Sequence, residues 1–171
     1  MEISERKQKT AFVLAGPPGC GKSTWIRNVM NSDIDTHISR DAIRFSLLED
    51  GQEYFEVEDK VKKFYYQQIK DCTSDGFTND CVFIDATHLT RKSRAQTCSW
   101  IRKNPYKIAV SFEVPLNIAI ERNAQRTGRA KVPETVIHNM YRTFEKPTLK
   151  EGFDEVWHVD AEGVITKEVR K

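Results

Sequence analysis

Short apolar runs alternate with segments of helical spacing along most of this chain. The runs that predict strands are 10–15, 36–39, 81–85, 107–112 and 155–159. The segments that predict helices are 22–31, 41–48, 54–72, 90–103, 115–125 and 133–145, of which 54–72 has the clearest amphipathic pattern. Strands that alternate with helices predict an α/β fold, in which a parallel sheet carries helices on both faces and binds ligands at the carboxyl ends of its strands.

Length and composition limit the organisation of the chain. Its 171 residues predict a single domain over 1–171, and 39% hydrophobic with 30% charged residues exclude a disordered chain. The formal net charge of +2 neither requires nor excludes nucleic acid as a partner. No run of 18 apolar residues is present, which argues against membrane insertion. The four cysteines form no C-x-x-C pair, so we expect neither a disulfide framework nor a zinc site, and we expect a reducing, cytoplasmic location.

The segment 16–23, GPPGCGKS, matches the G-x-x-x-x-G-K-[ST] phosphate loop in full and lies between a predicted strand and a predicted helix. In such a loop the backbone N–H groups and the helix N-terminus surround a phosphate chain. Lys22 is predicted to reach the β- and γ-phosphates, and the Ser23 hydroxyl is predicted to bind Mg²⁺. The residues expected to line this nucleotide site are Gly16, Gly19, Cys20, Gly21, Lys22, Ser23 and Thr24.

Asp85 ends the third predicted strand, where a carboxylate commonly holds Mg²⁺ or its water ligands. A helix cap or a turn residue is the alternative role. Thr87 and His88 follow on a loop that faces the same cleft. We expect Thr87 to contact substrate, whereas His88 is equally compatible with a loop residue and with a substrate contact.

Asp41 and Arg44 follow the second predicted strand and share one helix face. A carboxylate there can take a proton from an acceptor hydroxyl, and the arginine can bind a phosphate on that acceptor. An N-cap role for Asp41 is the alternative. The chain has no N-K-x-D motif of the kind that selects guanine, so these charged residues favour a kinase over a GTPase.

Three arginines, Arg122, Arg126 and Arg129, are concentrated around the glycine break at Gly128. Phosphoryl transfer spreads negative charge over the moving group, and arginines on a closing segment can stabilise that charge. We therefore predict an arginine-rich lid over residues 122–133, hereafter the lid segment, with all three arginines binding the nucleotide. Surface arginines without such a role are the alternative for any one of them.

These motifs resemble the kinase module of the polynucleotide 5'-hydroxyl kinases. The resemblance rests on GPPGCGKSTW at 16–25, RDAIR at 40–44, FIDATHL at 83–89 and ERNAQRTGRAKVPETVIHNMY at 121–141, in that order over about three quarters of the chain. It implies a P-loop kinase-like fold, ATP and Mg²⁺ as cofactors, and a nucleic acid partner. By the same resemblance Lys22 binds the phosphates, Ser23 binds Mg²⁺, Asp41 is the general base, Arg44 contacts the 3'-phosphate of the acceptor, and the three lid arginines match by spacing. Taken with the position of each residue, we expect Asp41, Lys22 and Arg126 to be catalytic, Arg44 and Thr87 to bind the acceptor, and Ser23 and Asp85 to bind the metal.

The chain departs from the resembling sequences at two places. His88 stands where an asparagine is common, and Ala86 separates Asp85 from Thr87, whereas some relatives place the acid directly before the threonine. The leading hypothesis is transfer of the γ-phosphate of ATP to the 5'-hydroxyl end of DNA or RNA, in nucleic-acid repair. A small-molecule or nucleotide kinase of the same fold, and an ATP-binding switch that transfers no phosphate to an acceptor, remain open, as does the oligomeric state.

Overall fold

The computed structural model describes residues 8–74 and 80–170. The predicted domain over 1–171 also includes residues 1–7, 75–79 and 171, which lie outside the described part of the chain. Six strands form one sheet in the order β2-β3-β1-β4-β5-β6. Their bounds are β1 Thr10–Ala15, β2 Asp35–Ser39, β3 Cys81–Asp85, β4 Tyr106–Phe112, β5 Glu155–Val159 and β6 Ile165–Val169.

The helices connect the strands along the chain. They are α1 Lys22–Val29, α2 Arg40–Leu47, α3 Glu58–Cys72, α4 Arg91–Trp100, α5 Leu116–Ala124 and α6 Glu134–Thr143, with short 3-10 helices at Gly128–Ala130 and Leu149–Glu151. The clearest amphipathic segment, predicted as a helix from residue 54, becomes helical only at Glu58. Its first four residues form a turn instead.

The first five strands are parallel to one another, and β6 pairs with β5 in the antiparallel direction. The α/β fold with a mostly parallel sheet flanked by helices is therefore confirmed. The antiparallel strand β6 was not expected. Four of its five residues are exposed, so this edge strand lacks the apolar run by which the other strands can be predicted.

The core occupies both faces of the sheet, because successive residues of a strand point to opposite sides. On one face Ala11 and Val13 of β1 pack in a cluster with buried residues of α2 and α3, including Tyr65. On the other face Phe12 and Leu14 pack in a cluster with residues of α1 and β5. The sheet thus holds α1 on one side and α2 and α3 on the other.

The carboxyl ends of β1, β2 and β3 meet at one edge of the fold. Asp85 at the end of β3 is in register with Leu14 of β1 and with Ser39 of β2. The phosphate loop leaves β1 at this edge, and α2 leaves β2 there. The topology therefore gathers the candidate residues of three separate motifs, as is usual for ligand sites of open α/β sheets.

Candidate active site

The phosphate loop is shaped by close packing against two other segments. Gly19 has a φ of +83°, and a Cβ placed on it would lie 2.3 Å from the backbone oxygen of Ala119 in α5. Only glycine permits that approach. On the opposite side, the Gly16 N–H donates to the Thr87 carbonyl oxygen at 2.9 Å, which joins the phosphate loop to the loop after β3.

Lys22 folds back over the loop that it follows. Its Nζ donates to the carbonyl oxygens of Gly16 at 2.6 Å and Pro17 at 3.1 Å, and contacts Cys20 Sγ at 3.6 Å. The ammonium group thus lies over the loop, where it can exchange these carbonyl oxygens for phosphate oxygens. Cys20 is buried in the core beside it.

The next two residues lie in the first turn of helix α1 and are exposed. Ser23 faces solvent, and Thr24 accepts a hydrogen bond from Arg27 Nη2 at 3.3 Å. Gly21, in the left-handed conformation with a φ of 95°, is the N-cap and provides no side chain of its own for capping. The N–H groups of the first turn are therefore available to an anion, as expected for a phosphate loop.

Asp85 is buried at the end of β3, where its Oδ2 lies 3.2 Å from His37 Nε2. Within the described residues, no group of three or more His, Cys, Asp or Glu side chains could hold a metal. In nucleotide sites Mg²⁺ usually takes one or two protein oxygens and completes its shell with phosphates and water. Ser23 and Asp85 would be those ligands.

His88 is a structural residue that joins two layers. It is buried with a φ of +40°, its Nδ1–H donates to the Leu14 carbonyl oxygen at 2.6 Å, and its Nε2 accepts from Thr97 Oγ1 at 3.0 Å. Burial lowers its pKa to about 4, so the ring is neutral at physiological pH. Of the two roles left open by the sequence, the loop residue is the one that this geometry supports.

Asp41 lies at the start of α2 in a network of polar side chains. Its Oδ1 accepts hydrogen bonds from Arg44 Nη1 at 2.7 Å and from the Tyr54 hydroxyl at 2.8 Å. Ser39, not Asp41, is the N-cap, because its side chain accepts from the Ala42 N–H. Asp41 Oδ2 makes no hydrogen bond to any residue in the described ranges, and 63% of the side chain is exposed.

Arg44 is the buried centre of that network. Its Nη2 donates to Glu58 Oε2 at 2.6 Å, its Nη1 also donates to the Tyr54 hydroxyl at 2.9 Å, and its guanidinium lies 4.4 Å from the Tyr54 ring centroid. Burial opposes its charge, but the hydrogen bond to Glu58 and the charges of Glu58 and Asp41 leave the pKa of Arg44 raised. The Arg44 guanidinium is therefore firmly held as a cation.

The partners of Arg44 respond to the same charges. Burial would raise the pKa of Glu58, but the hydrogen bond from Arg44 and the nearby Arg40 hold it below its ordinary value. Burial and the charge of Asp41 raise the pKa of Tyr54 to about 12. Neither Tyr54 nor Glu58 was expected from the sequence, because nothing in the spacing of either residue distinguishes a site residue from a helix position.

The three arginines of the lid segment occupy different places. Arg122 lies within α5, donates to the Ala161 carbonyl oxygen at 2.9 Å, and approaches Gly21, where a Cβ would lie 3.6 Å from Arg122 Nη1. Arg126 follows the end of the helix and is half-buried. Arg129 is exposed in the 3-10 helix and donates to the Glu49 carbonyl oxygen at 3.2 Å.

A pocket of about 270 Å³ opens at the carboxyl end of β3, away from the three lid arginines. It lies between Arg40 at the start of α2, the loop that contains Thr87, and one side of α4 that includes Gln96 and Trp100. Its walls combine hydroxyl, amide and aromatic groups with one cation, a mixture suited to a small polar molecule. The α4 residues were not among those expected from the sequence.

A family model for the AAA domain matches residues 12–147, which include the phosphate loop, the Asp41 network and the lid segment. The chain belongs to the AAA domain family. It has the P-loop kinase fold, in which a phosphate loop binds a nucleotide. None of the helices within residues 8–74 and 80–170 is long and apolar enough to cross a membrane.

Two curated proteins are similar in sequence. One is "L-seryl-tRNA(Sec) kinase" of Methanococcus maripaludis, 27% identical over 153 residues that cover 84% of this chain and 55% of that protein. The other is "Transcription factor bHLH140" of Arabidopsis thaliana, 25% identical over 158 residues that cover 90% of this chain and 16% of that protein. The chain thus spans about half or less of the length of these relatives.

Solved structures share the fold. A fungal RNA kinase superposes with a TM-score of 0.59 at 18% identity over 88% of this chain and 74% of the other. A gluconokinase from Sinorhizobium meliloti 1021 superposes with a TM-score of 0.59 at 18% identity, over 91% of this chain and 85% of the other. A chain of the Pnkp1/Rnl/Hen1 RNA repair complex superposes with a TM-score of 0.66 at 20% identity, over 87% of this chain and 47% of the other. At these identities the likeness shows the fold alone.

Proposed function

We propose that this protein transfers the γ-phosphate of ATP to the 5'-hydroxyl end of DNA or RNA, with Mg²⁺ as the metal cofactor. The observation that carries the proposal is the pair formed by Asp41 and Arg44 at the carboxyl end of β2. Asp41 keeps Oδ2 free and accessible, and it is held by Arg44, whose buried guanidinium would bind an acceptor phosphate by exchanging its hydrogen bonds to Asp41 and Tyr54. An acceptor that offers a hydroxyl next to a phosphate matches that pair.

In this proposal Asp41 Oδ2 accepts the proton of the acceptor hydroxyl as its oxygen attacks the γ-phosphorus. A bond forms between that oxygen and the phosphorus, the bond from the γ-phosphorus to the bridging oxygen breaks, and ADP leaves. Lys22 and Arg126 stabilise the negative charge on the transferred group, and Ser23 and Asp85 would hold the metal, which supplies further charge at the phosphates. Arg122 and Arg129 bind the nucleotide from the lid segment, and Thr87 contacts the acceptor.

The resemblance of the motifs to polynucleotide kinases and the similarity to a fungal RNA kinase and a tRNA-linked kinase support a nucleic acid acceptor. The size of the pocket beside Arg40 and the similarity to a gluconokinase favour a second candidate, a small-molecule kinase. Both candidates use the same base and the same phosphate loop, so the acceptor alone separates them.

The experiment compares kcat/KM for a nucleoside, its 3'-monophosphate, a short 5'-hydroxyl oligonucleotide and gluconate, with a reaction that lacks acceptor as background. We expect the 3'-phosphate to raise the efficiency of the nucleoside roughly 10- to 150-fold, because a charge-assisted hydrogen bond contributes about 1.5 to 3 kcal/mol. Arg44→Lys should lose most of that preference, since an ammonium group lacks the planar fork of the guanidinium. Equal efficiency with and without the 3'-phosphate, or faster transfer to gluconate, would favour the small-molecule kinase.

A further inference from the structure

Asn123 is a buried side chain for which neither the fold core nor the proposed chemistry accounts. It is the penultimate residue of α5 and is 1% exposed. Its Nδ2 donates to the Val132 carbonyl oxygen at 2.7 Å, and its Oδ1 accepts from the Val132 N–H at 3.0 Å. One amide group thus satisfies both backbone groups of one residue nine positions further along the chain.

These two hydrogen bonds close a loop. Residues 124–131, between Asn123 and Val132, contain Arg126, Gly128 and Arg129. The tip of the loop has weaker support, because the hydrogen bond from Arg129 to the Glu49 carbonyl oxygen is long and exposed. Asn123 therefore holds the two ends of the loop together from a buried position, whereas the tip of the loop is exposed.

Helix α5 connects that fixed point to the phosphate loop. Ala119, one turn before Asn123, is the residue against whose backbone Gly19 packs, and Arg122 lies beside Gly21. Ala119 and Asn123 are both buried. The same short helix is thus packed against the phosphate loop at its centre and bonded to the lid segment at its end.

We infer that Asn123 is a positioning residue, which sets the place of the lid arginines relative to the phosphates. It touches neither substrate nor nucleotide, and it acts through Val132 by holding the ends of the lid segment together. Only the short loop between Asn123 and Val132 then has to become ordered for Arg126 to reach the transferred phosphoryl group. The kinetic part of this inference rests on the proposed phosphoryl transfer, whereas its structural part does not.

Limited trypsin digestion tests the structural part in the protein without any acceptor. Cleavage after Arg126, Arg129 and Lys131, quantified by mass spectrometry, reports how often the lid segment opens. We expect Asn123→Ala to raise cleavage at these three bonds on the order of 10-fold over wild type, since two hydrogen bonds in a buried place are lost. Cleavage elsewhere in the chain should stay within about twofold.

The matched control is Asn117→Ala, which removes an exposed asparagine from the same helix. It should leave cleavage of the lid segment unchanged. If Asn123→Ala folds poorly, amide hydrogen exchange on the wild-type protein replaces the digestion. The Val132 amide should then exchange on the order of 10-fold more slowly than the amides of residues 127–130, because it donates to Asn123 Oδ1. Equal cleavage in the two variants, or a Val132 amide as fast as those at the tip, would overturn the inference.

The kinetic part is tested in the oligonucleotide assay. Asn123→Ala should lower kcat about 10-fold and leave the KM for ATP within about twofold, because lid arginines act on charge that develops in the transition state. An unchanged kcat together with increased cleavage would remove the positioning role. If wild type transfers phosphate to no oligonucleotide at all, the proposed function fails, and the trypsin result still decides whether Asn123 holds the lid segment.

Discussion

The proposed donor side and the proposed acceptor side of the site carry charge on different parts of the chain. On the donor side, residues 16–24, the phosphate loop depends on backbone N–H groups and on glycine conformations set by contact with Ala119 and Thr87. On the acceptor side, charge is carried by side chains that bind one another around Arg44. A backbone site recognises any phosphate chain, whereas a side-chain network can change its acceptor by a few substitutions.

Removal of the lysine on the donor side should have the largest effect. We expect Lys22→Ala to lower kcat at least about 10³-fold, because in the proposed reaction Lys22 supplies charge to the transferred phosphate, and because it contributes little to packing. Its hydrogen bonds to Gly16 and Pro17 are confined to the loop, so thermal stability should change little. Lys60→Ala on the exposed side of α3 is the control. Near-normal turnover by Lys22→Ala would contradict the kinase proposal.

The corresponding change on the acceptor side is Asp41→Asn. It keeps an oxygen for the hydrogen bonds from Arg44 and Tyr54 but removes the base, so kcat should fall roughly 10²- to 10⁴-fold. Affinity for ATP, measured by calorimetry, should stay within about twofold, since the donor side is untouched. A loss of stability without a loss of kcat would show that Asp41 has a structural role only.

Two glycines allow the cost of a steric clash in the phosphate loop to be separated from the cost of a positive φ. Gly19 and Gly163 have nearly the same φ, +83° and +86°, but a Cβ at Gly163 meets no atom within 4 Å. Gly163→Ala should cost about 1 kcal/mol of unfolding free energy from conformation alone. Gly19→Ala should cost about 2 kcal/mol or more beyond that, because its Cβ collides with the Ala119 oxygen. Equal losses in chemical denaturation would show that the loop tolerates a side chain there.

An effect on stability that depends on pH, with no effect on the proposed chemistry, is expected at His88, which joins β1 to α4. Its pKa is about 4 in the folded protein, against about 6.5 for an ordinary histidine, so only the unfolded chain takes up this proton between those pH values. The contribution of neutral His88 to the free energy of unfolding is complete above pH 6.5. It is lost as the pH falls towards 4, at up to about 1.4 kcal/mol per pH unit.

His88→Asn provides the test, because asparagine tolerates the positive φ at this position. The difference in unfolding free energy between wild type and His88→Asn should shrink between pH 6.5 and 4. His138→Asn, at an exposed position on α6, should leave the wild-type slope unchanged. A constant difference across that range would show that His88 takes up its proton equally in the folded and unfolded chain.

The same contrast explains what the sequence could predict. The parallel strands and the phosphate loop depend on local patterns, apolar runs and glycine spacing, and the predicted strands lie within two residues of their positions in the fold. The partners of Arg44 come from residues 10 and 14 positions away, brought close by tertiary packing of α2 on α3. Hydrophobic periodicity instead predicts that Tyr54 begins the helix. Periodicity carries no information about the hydrogen bond that the Tyr54 hydroxyl donates to Asp41 from the turn before α3.

Asn123 shows the same limit for the lid segment. The arginines and the glycine break indicate a lid, because charge and chain flexibility are visible in the residue types. The asparagine that holds its ends together binds backbone groups of Val132, and backbone groups have no sequence signature. A polar residue near a helix end is more commonly a solvent-exposed cap. Its role therefore emerges only once the packing of the chain is known.

Strand β6 has a consequence for how copies of this protein meet one another. The outer edge of a sheet is a template for pairing with a second chain. Without β6 that edge would be β5, four of whose five residues are buried in the fold. β6 covers that edge and presents Thr166, Lys167 and Glu168 in its place. Lys167 also lies over the ring of Trp157, with Nζ 3.9 Å from its centroid. Strand β6 thus covers the edge of β5 and presents charged side chains at the sheet edge, which disfavours pairing of this edge with another copy of the protein.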